Sequence, residues 1–378
     1  MDKDLYSKKE LIIVRILTLL VFLATLTALT LHIIFKKEYW DILHFSYSVI
    51  ISFVLSILLH ELGHLIFGKI SHYKYISFQF LFFRHTKVGK KSRINVEKSV
   101  TLGQCLMGTD AESRDKLNYK LYLAGGVIMN SILLVLALTG LILIYVFLNT
   151  LSPYLLALAF INAYLIPVNI IPLNNQGIYN DGLNIKLMNK YEGIRHLIIN
   201  TLCLQYLISN LASINEIPEE VLNNDGFEVP HYITHTYVFD YYKTVKRIVN
   251  NEEDKFGLIN ERNRTKYDLP YIYRLQNYEL LLFERLINDE EYMWIYSLKE
   301  NQKYFENDSS FTVKLCNILR RYKEDSIDYQ GFTVRLRFLK DELSDDENEI
   351  ISQELGYALI KLAEDYSDKR EELKLNEN

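Results

Sequence analysis

The pentapeptide His60-Glu61-Leu62-Gly63-His64 stands near the end of an apolar run, residues 43–70, that is long enough to cross a bilayer as a single helix. This placement constrains the chain more than any other feature. Backbone groups at hydrocarbon depth must bond internally, so the run is a helix. Ionisable side chains there are costly unless they are paired, metal-bound or facing a water-filled cavity. On a helix, histidines at i and i+4 project from one face, so His60 and His64 can hold a single Zn2+, with Glu61 beside them as a general base. The pattern points to peptide hydrolysis at membrane depth, and two ligands leave the metal site incomplete.

The rest of the chain fits a membrane-embedded half followed by a polar half. Hydrophobic residues make up 49% and charged residues 24% of the 378, and the two classes are segregated along the sequence. Four apolar stretches, at about 11–35, 43–67, 121–148 and 153–171, each match a hydrocarbon core roughly 30 Å thick. The expected fold is therefore an all-α polytopic membrane domain of about four transmembrane helices, residues 1–188, followed by a soluble α-helical domain, 189–378. The first stretch is too long for a secretory signal and lacks a small-residue cleavage pattern, which reads as a retained helix. Residues 69–120 carry eleven Lys/Arg against four Asp/Glu, whereas 149–152 carry none. The positive-inside rule then places the long loop and both termini in the cytoplasm of a multi-pass cell-membrane protein, with Lys36 and Lys37 outweighed. The odd set Cys105, Cys203 and Cys316 suits reduced thiols and receives no chemical role.

Depth supplies an independent test. Entering from outside at Leu43, the second stretch reaches His60 after roughly 25 Å, and the fourth, descending from Pro153, reaches Asn169 after roughly 24 Å. Pro167 and Pro172 interrupt the helix at that level, where irregular backbone is tolerated only if buried or lining a polar cavity. The segment runs Val168-Asn169-Ile170-Ile171-Pro172-Leu173-Asn174-Asn175-Gln176-Gly177-Ile178-Tyr179-Asn180-Asp181-Gly182. With the His-Glu-x-x-His motif, it resembles the site-2 protease family of intramembrane zinc metalloproteases, whose second motif is Asn-x-x-Pro followed by Asp-Gly. The resemblance covers residues 43–185. It implies Asp181 as the third zinc ligand, and Asn169 as a group that orients substrate or the oxyanion. Here eight residues separate Pro172 from Asp181, against about four in the family, so a longer loop must fold back to the metal. Alone, Asp181-Gly182 would read as an exposed turn.

The stretch Ala124-Gly125-Gly126-Val127-Ile128-Met129-Asn130 resembles the family's glycine-rich segment, where small residues let helices approach closely. Asn130 either orients a site group or bonds a neighbouring helix, and helix packing is the favoured reading. In the basic loop, Tyr75–Phe80 and the stretch 93–97 alternate as strands, with Val88-Gly89-Lys90 as a turn between them. Such a hairpin offers an edge for an extended substrate, and a surface segment with snorkelling lysines fits the same pattern.

From Lys190 onward there are 24 Lys/Arg against 36 Asp/Glu, a net charge of minus twelve, which disfavours nucleic acid and anionic lipid as partners. Helices are expected near 197–211, 232–249, 271–287, 311–322 and 349–364, as a tetratricopeptide-like array or a compact domain that binds a basic peptide or another protein. The leading function is zinc-dependent cleavage of a membrane-embedded or membrane-anchored peptide or protein within the lipid bilayer. The rival is a membrane adaptor with a structural or inactive metal site. Glu61 favours the enzyme, because a structural site has no use for a non-ligand carboxylate. A zinc transporter is disfavoured by the lack of further intramembrane acids along a path.

Overall fold

The computed structural model describes residue 27 and residues 39–96, 102–175, 178–210, 212–223, 233–258, 271–297, 304–305, 310–345 and 350–377. The chain divides into two compact units, Met1–Tyr206 and Leu207–Asn378, a later division than the expected one at 188/189.

The first unit is built on three long apolar helices: α1 (Tyr39–Ile70), α2 (Tyr119–Leu148) and α3 (Pro153–Ile170). All three are long and apolar enough to cross a membrane. The expected first span lies outside the described residues apart from Thr27. Helix α1 buries an i, i+4 row of small and polar side chains, Ser48, Ser52, Ser56, His60 and His64. Meanwhile Tyr47, Ile50, Ile51 and Phe53 on other faces are exposed. Serines along the row let α1 pack closely on α3, where the Asn162 amide donates to Ser56 Oγ at 2.9 Å and Ser52 Oγ donates to Tyr154 O at 3.3 Å. Ser152 caps α3 through its side chain, ahead of Pro153 at the first helical position.

The basic loop forms a four-stranded antiparallel sheet rather than one hairpin: β1 (Lys74–Phe80), β2 (Phe83–Val88), β3 (Lys91–Val96) and β4 (Gly103–Gly108), in the order β3-β2-β1-β4. The expected turn at Val88-Gly89-Lys90 is present, with Gly89 at a φ of 58°. It joins β2 to β3, and β1 turns into β2 through Leu81, whose φ is 53°. A small core of Tyr73, Cys105, Met107 and Tyr122 fastens the sheet to α2. After α3 come a two-residue hairpin, β5 (Asn174–Asn175) with β6 (Ile178–Tyr179), then α4 (Asp181–Lys190) and α5 (Glu192–Ser209).

The second unit is helical, with α6 (Glu219–Leu222), α7 (Ile233–Val249), α8 (Tyr271–Ile287), α9 (Met293–Ser297), α10 (Phe311–Lys323), α11 (Tyr329–Asp345) and α12 (Ile350–Glu377). Its core takes Phe239, Phe283, Leu319, Tyr322, Phe332 and Leu359 from five of these helices. Ser310 caps α10 by accepting from Val313 N. The helices expected at 232–249, 271–287 and 311–322 match α7, α8 and α10 closely, the one at 349–364 covers only the first part of α12, which continues to Glu377, and the fifth, near 197–211, overlaps α5. Helices α6, α9 and α11 were not expected.

Candidate metal centre

His60 and His64 lie one turn apart on α1, with their Nε2 atoms 3.2 Å from one another. Asp181 opens α4, and its Oδ2 lies 3.5 Å from His60 Nε2 and 3.3 Å from His64 Nε2. The two histidines are buried and Asp181 is partly buried. Three donor atoms thus converge, and the cluster could hold a metal ion.

Hydrogen bonding behind the rings fixes which nitrogens point inward. His64 Nδ1–H donates to Tyr122 O at 2.9 Å, which leaves Nε2 with its lone pair towards Asp181. The Asn130 amide sits 3.1 Å from His60 Nδ1, and Asn130 Oδ1 is buried without a hydrogen-bond partner. Turning that amide by half a revolution lets Oδ1 accept from Nδ1–H, so His60 also presents a bare Nε2. Asp181 Oδ2 is likewise buried without a hydrogen-bond partner. Lone pairs and a carboxylate aimed at one point repel unless a cation lies between them, so these residues fit a metal. Where a proton rather than a metal sits on the imidazoles, His64 and His60 outweigh the burial of the Asp181 carboxyl and hold it well below the usual carboxylate range.

The glycine-rich start of α2 makes the room. A Cβ on Gly126 would lie 2.4 Å from the His60 ring, and one on Gly63 would lie 2.3 Å from Gly125 O. The contact of the Asn130 amide with His60 Nδ1 ties Asn130 to a site group, where the sequence alone favours helix packing.

Asn180 and the hairpin explain how a lengthened loop still delivers Asp181. Pairing of Asn174 with Tyr179 and of Asn175 with Ile178 takes up the extra residues as a side excursion, closed by Asn180 N donating to Leu173 O. The Asn180 amide then reaches the broken end of α3. Its Nδ2 donates to Val168 O at 2.6 Å and to Ile171 O at 2.7 Å, while Oδ1 accepts from Leu173 N and from Leu183 N, each at 3.0 Å. One side chain satisfies carbonyls freed near Pro172, caps α4 and sets the residue beside it, Asp181, against the histidines. Gly182 has to be small because a Cβ there would stand 2.0 Å from Ile170 O.

Glu61 is buried, and its carboxylate lies against β4. A Cβ on Gly103 would lie 2.9 Å from Glu61 Oε1, and the Cys105 backbone hydrogen-bonds the carboxylate. Asn169 is on α3, donates from Nδ2 to Leu165 O at 3.0 Å, and shares a cavity wall with Asp181. Sequence reasoning missed Asn180, Tyr122 and the β4 backbone, because their roles depend on how the loops fold back.

Comparison with protein-family models, curated proteins and solved structures finds no match for the chain.

Proposed function

We propose that the chain is an intramembrane zinc metalloprotease that hydrolyses a peptide bond in or near a membrane-embedded segment of its substrate. The observation that carries this reading is the triangle of donor atoms, two of them from a helix apolar enough to cross a membrane and the third, Asp181, from the start of α4, with the buried carboxylate of Glu61 beside it. Ligand atoms about 2.0–2.1 Å from a tetrahedral Zn2+ are roughly 3.3 Å apart, close to the separations between His60, His64 and Asp181. Oxygen-only ions prefer six or more ligands, so the two imidazoles favour zinc over Mg2+ or Ca2+.

Zn2+ bound there would supply a Lewis acid that polarises the scissile carbonyl and acidifies water. His60, His64 and Asp181 would hold it, and Asn130 and the Tyr122 carbonyl would keep the rings in the ligating orientation. Glu61 takes a proton from the attacking water at its carboxylate and passes it to the leaving amine nitrogen as the C–N bond breaks. The second N–H of the Asn169 amide can donate to the developing oxyanion. Strand β4 is an edge of its sheet and runs beside Glu61, which suits an extended substrate docking by strand addition. The excess of Lys and Arg in residues 69–120 supports a cytoplasmic location for that loop by the positive-inside rule, and the acidic helical unit would recruit substrate or a protein partner.

Glu61→Gln tests the reading. The amide keeps the shape of the side chain but cannot take the proton, so cleavage of a reconstituted transmembrane substrate should fall by about a hundredfold or more, with metal still bound. Wild-type turnover by this variant would exclude the mechanism.

A further inference from the structure

Tyr122 touches both halves of the site. It stands in the first turn of α2, where the Asn118 side chain caps the helix by accepting from Leu121 N at 3.1 Å. Its main-chain carbonyl accepts from His64 Nδ1–H at 2.9 Å, and its phenol reaches the other way, donating to Cys105 O at 2.9 Å. Cys105 lies on β4, which pairs with β1 along one side only. In an antiparallel ladder the N–H and C=O of one residue point to the same side. At Cys105 that side is the unpaired one, where the N–H bonds the Glu61 carboxylate and the C=O takes the Tyr122 hydroxyl. All three residues are buried. Room for the ring comes from Gly68, one turn beyond His64 on α1, where a Cβ would stand 3.0 Å from Tyr122 Cδ2. The ring packs on Tyr73, with centroids 4.5 Å apart. The Tyr73 hydroxyl in the same core is buried without a hydrogen-bond partner among the described residues.

We propose that Tyr122 is a positioning residue that fixes the general base against the metal ligands: its carbonyl holds His64, and its phenol, through Cys105, holds Glu61. The proposal rests on the protease reading for the role of Glu61 and goes beyond it in naming what sets the gap between base and ligand. Helical spacing fixes only where Glu61 leaves α1, and the torsions of a glutamate side chain let its carboxylate swing. The Cys105 N–H stops that swing only as well as the strand carrying it is held. On this side β4 has no neighbouring strand, and the Tyr122 hydroxyl takes that place. Because the same residue orients His64, the strand and the imidazole are referred to one anchor. A substrate strand then pairs with β4 beyond Cys105 rather than at it. Proton transfer needs the base within hydrogen-bond reach of the water, and a displacement of about 1 Å from a remote change can cost about a hundredfold in rate. Phe at this position would keep the ring and the carbonyl and would release the strand alone.

The test compares Tyr122→Phe with Tyr73→Phe in the full-length, zinc-loaded protein, since each removes one buried hydroxyl from the same core. Zinc affinity, measured by chelator competition, should stay within about twofold of wild type in both, because the carbonyl that orients His64 survives. Amide hydrogen exchange in β4 should speed up by about tenfold in Tyr122→Phe and stay at the wild-type rate in Tyr73→Phe. With a reconstituted transmembrane substrate, Tyr122→Phe should lower kcat by about tenfold to a hundredfold while KM holds within about twofold. Tyr122→p-aminophenylalanine, whose amine can donate to Cys105 O, should recover most of that loss. In the Glu61→Gln background, removing the Tyr122 hydroxyl should add nothing to the loss, whereas a general weakening of the core would lower activity further. Wild-type exchange rates in β4 of Tyr122→Phe, or an equal fall of kcat in Tyr73→Phe, would overturn the proposal. Faster exchange in β4 of Tyr122→Phe, in a protein whose wild type cleaves nothing, would support the tie to Glu61 and sink the protease reading, so the two claims fail separately.

Discussion

The two units solve the burial problem in opposite ways. Along α1 the buried row is Ser48, Ser52, Ser56, His60 and His64, while Ile50 is 60% exposed and Ile51 51% exposed. In α8 the buried residues are mostly apolar, Leu275, Leu280, Leu281, Leu282, Phe283 and Leu286, with Asn277, Glu279 and Glu284 the polar exceptions, and in α10 they include Val313, Leu315 and Leu319. The surface of that second unit carries charged pairs such as Lys314 with Glu342, and Arg370 with Asp325. In water, apolar burial drives packing and polar groups stay outside. Between apolar helices in lipid that drive is absent, so close approach of small residues and interhelical hydrogen bonds take over. This inversion is what makes a polar, ionisable site affordable in the first unit. The polar interior of α1 is continuous from its serines to its histidines, and the cluster that could hold a metal stands at the end of that row.

Substitutions of opposite sense can break the contrast. Phe283→Asp places an unpaired charge in the core of the second unit and should cost at least about 4 kcal/mol, read as loss of the cooperative thermal transition of that unit. Metal binding by the first unit should survive, and its loss would contradict the independence of the two interiors. Ile142→Lys, on the exposed face of α2, should raise the apparent insertion free energy of that helix by about 2.5–3.5 kcal/mol if the face meets lipid. A cost near zero in an insertion assay would mean that this face meets water. Smaller again is Asn180→Ala, which leaves every ligand in place but unties the loop from α3. Metal affinity, measured by chelator competition, should fall about 10- to 100-fold, with Asn180→Asp only partly restoring it because the carboxylate cannot donate to Val168 O and Ile171 O. Unchanged affinity would show that the hairpin alone positions Asp181.

The contrast also explains what could be read from the sequence. His60 and His64 were legible because helical spacing alone puts them on one face, with Glu61 beside them, and α7, α8, α10 and the start of α12 were legible because their apolar period follows the ordinary rule for water. The serine row preceding His60 at four-residue intervals was an available signal for the buried face of α1. Strand β2, Phe-Arg-His-Thr-Lys-Val, shows no clean alternation and is specified by its neighbours β1 and β3, so it was missed. Strand β4 was missed for the same reason, and with it the backbone that meets Glu61. Asn180 was invisible as a functional residue, because its four hydrogen bonds exist only once the hairpin has folded back. The eight residues between Pro172 and Asp181 required a loop that folds back to the histidines, and β5 and β6 form it by pairing with each other.

The central claim is that His60, His64 and Asp181 together hold one metal ion, and metal analysis of purified full-length protein tests it most directly. The account predicts about one zinc per chain in the wild type and in Glu61→Gln, with X-ray absorption showing two imidazoles and a carboxylate oxygen in the first coordination sphere, and loss of most zinc in Asp181→Ala. Wild-type protein that binds no zinc under these conditions, or an Asp181→Ala variant that keeps full occupancy and affinity, would contradict it.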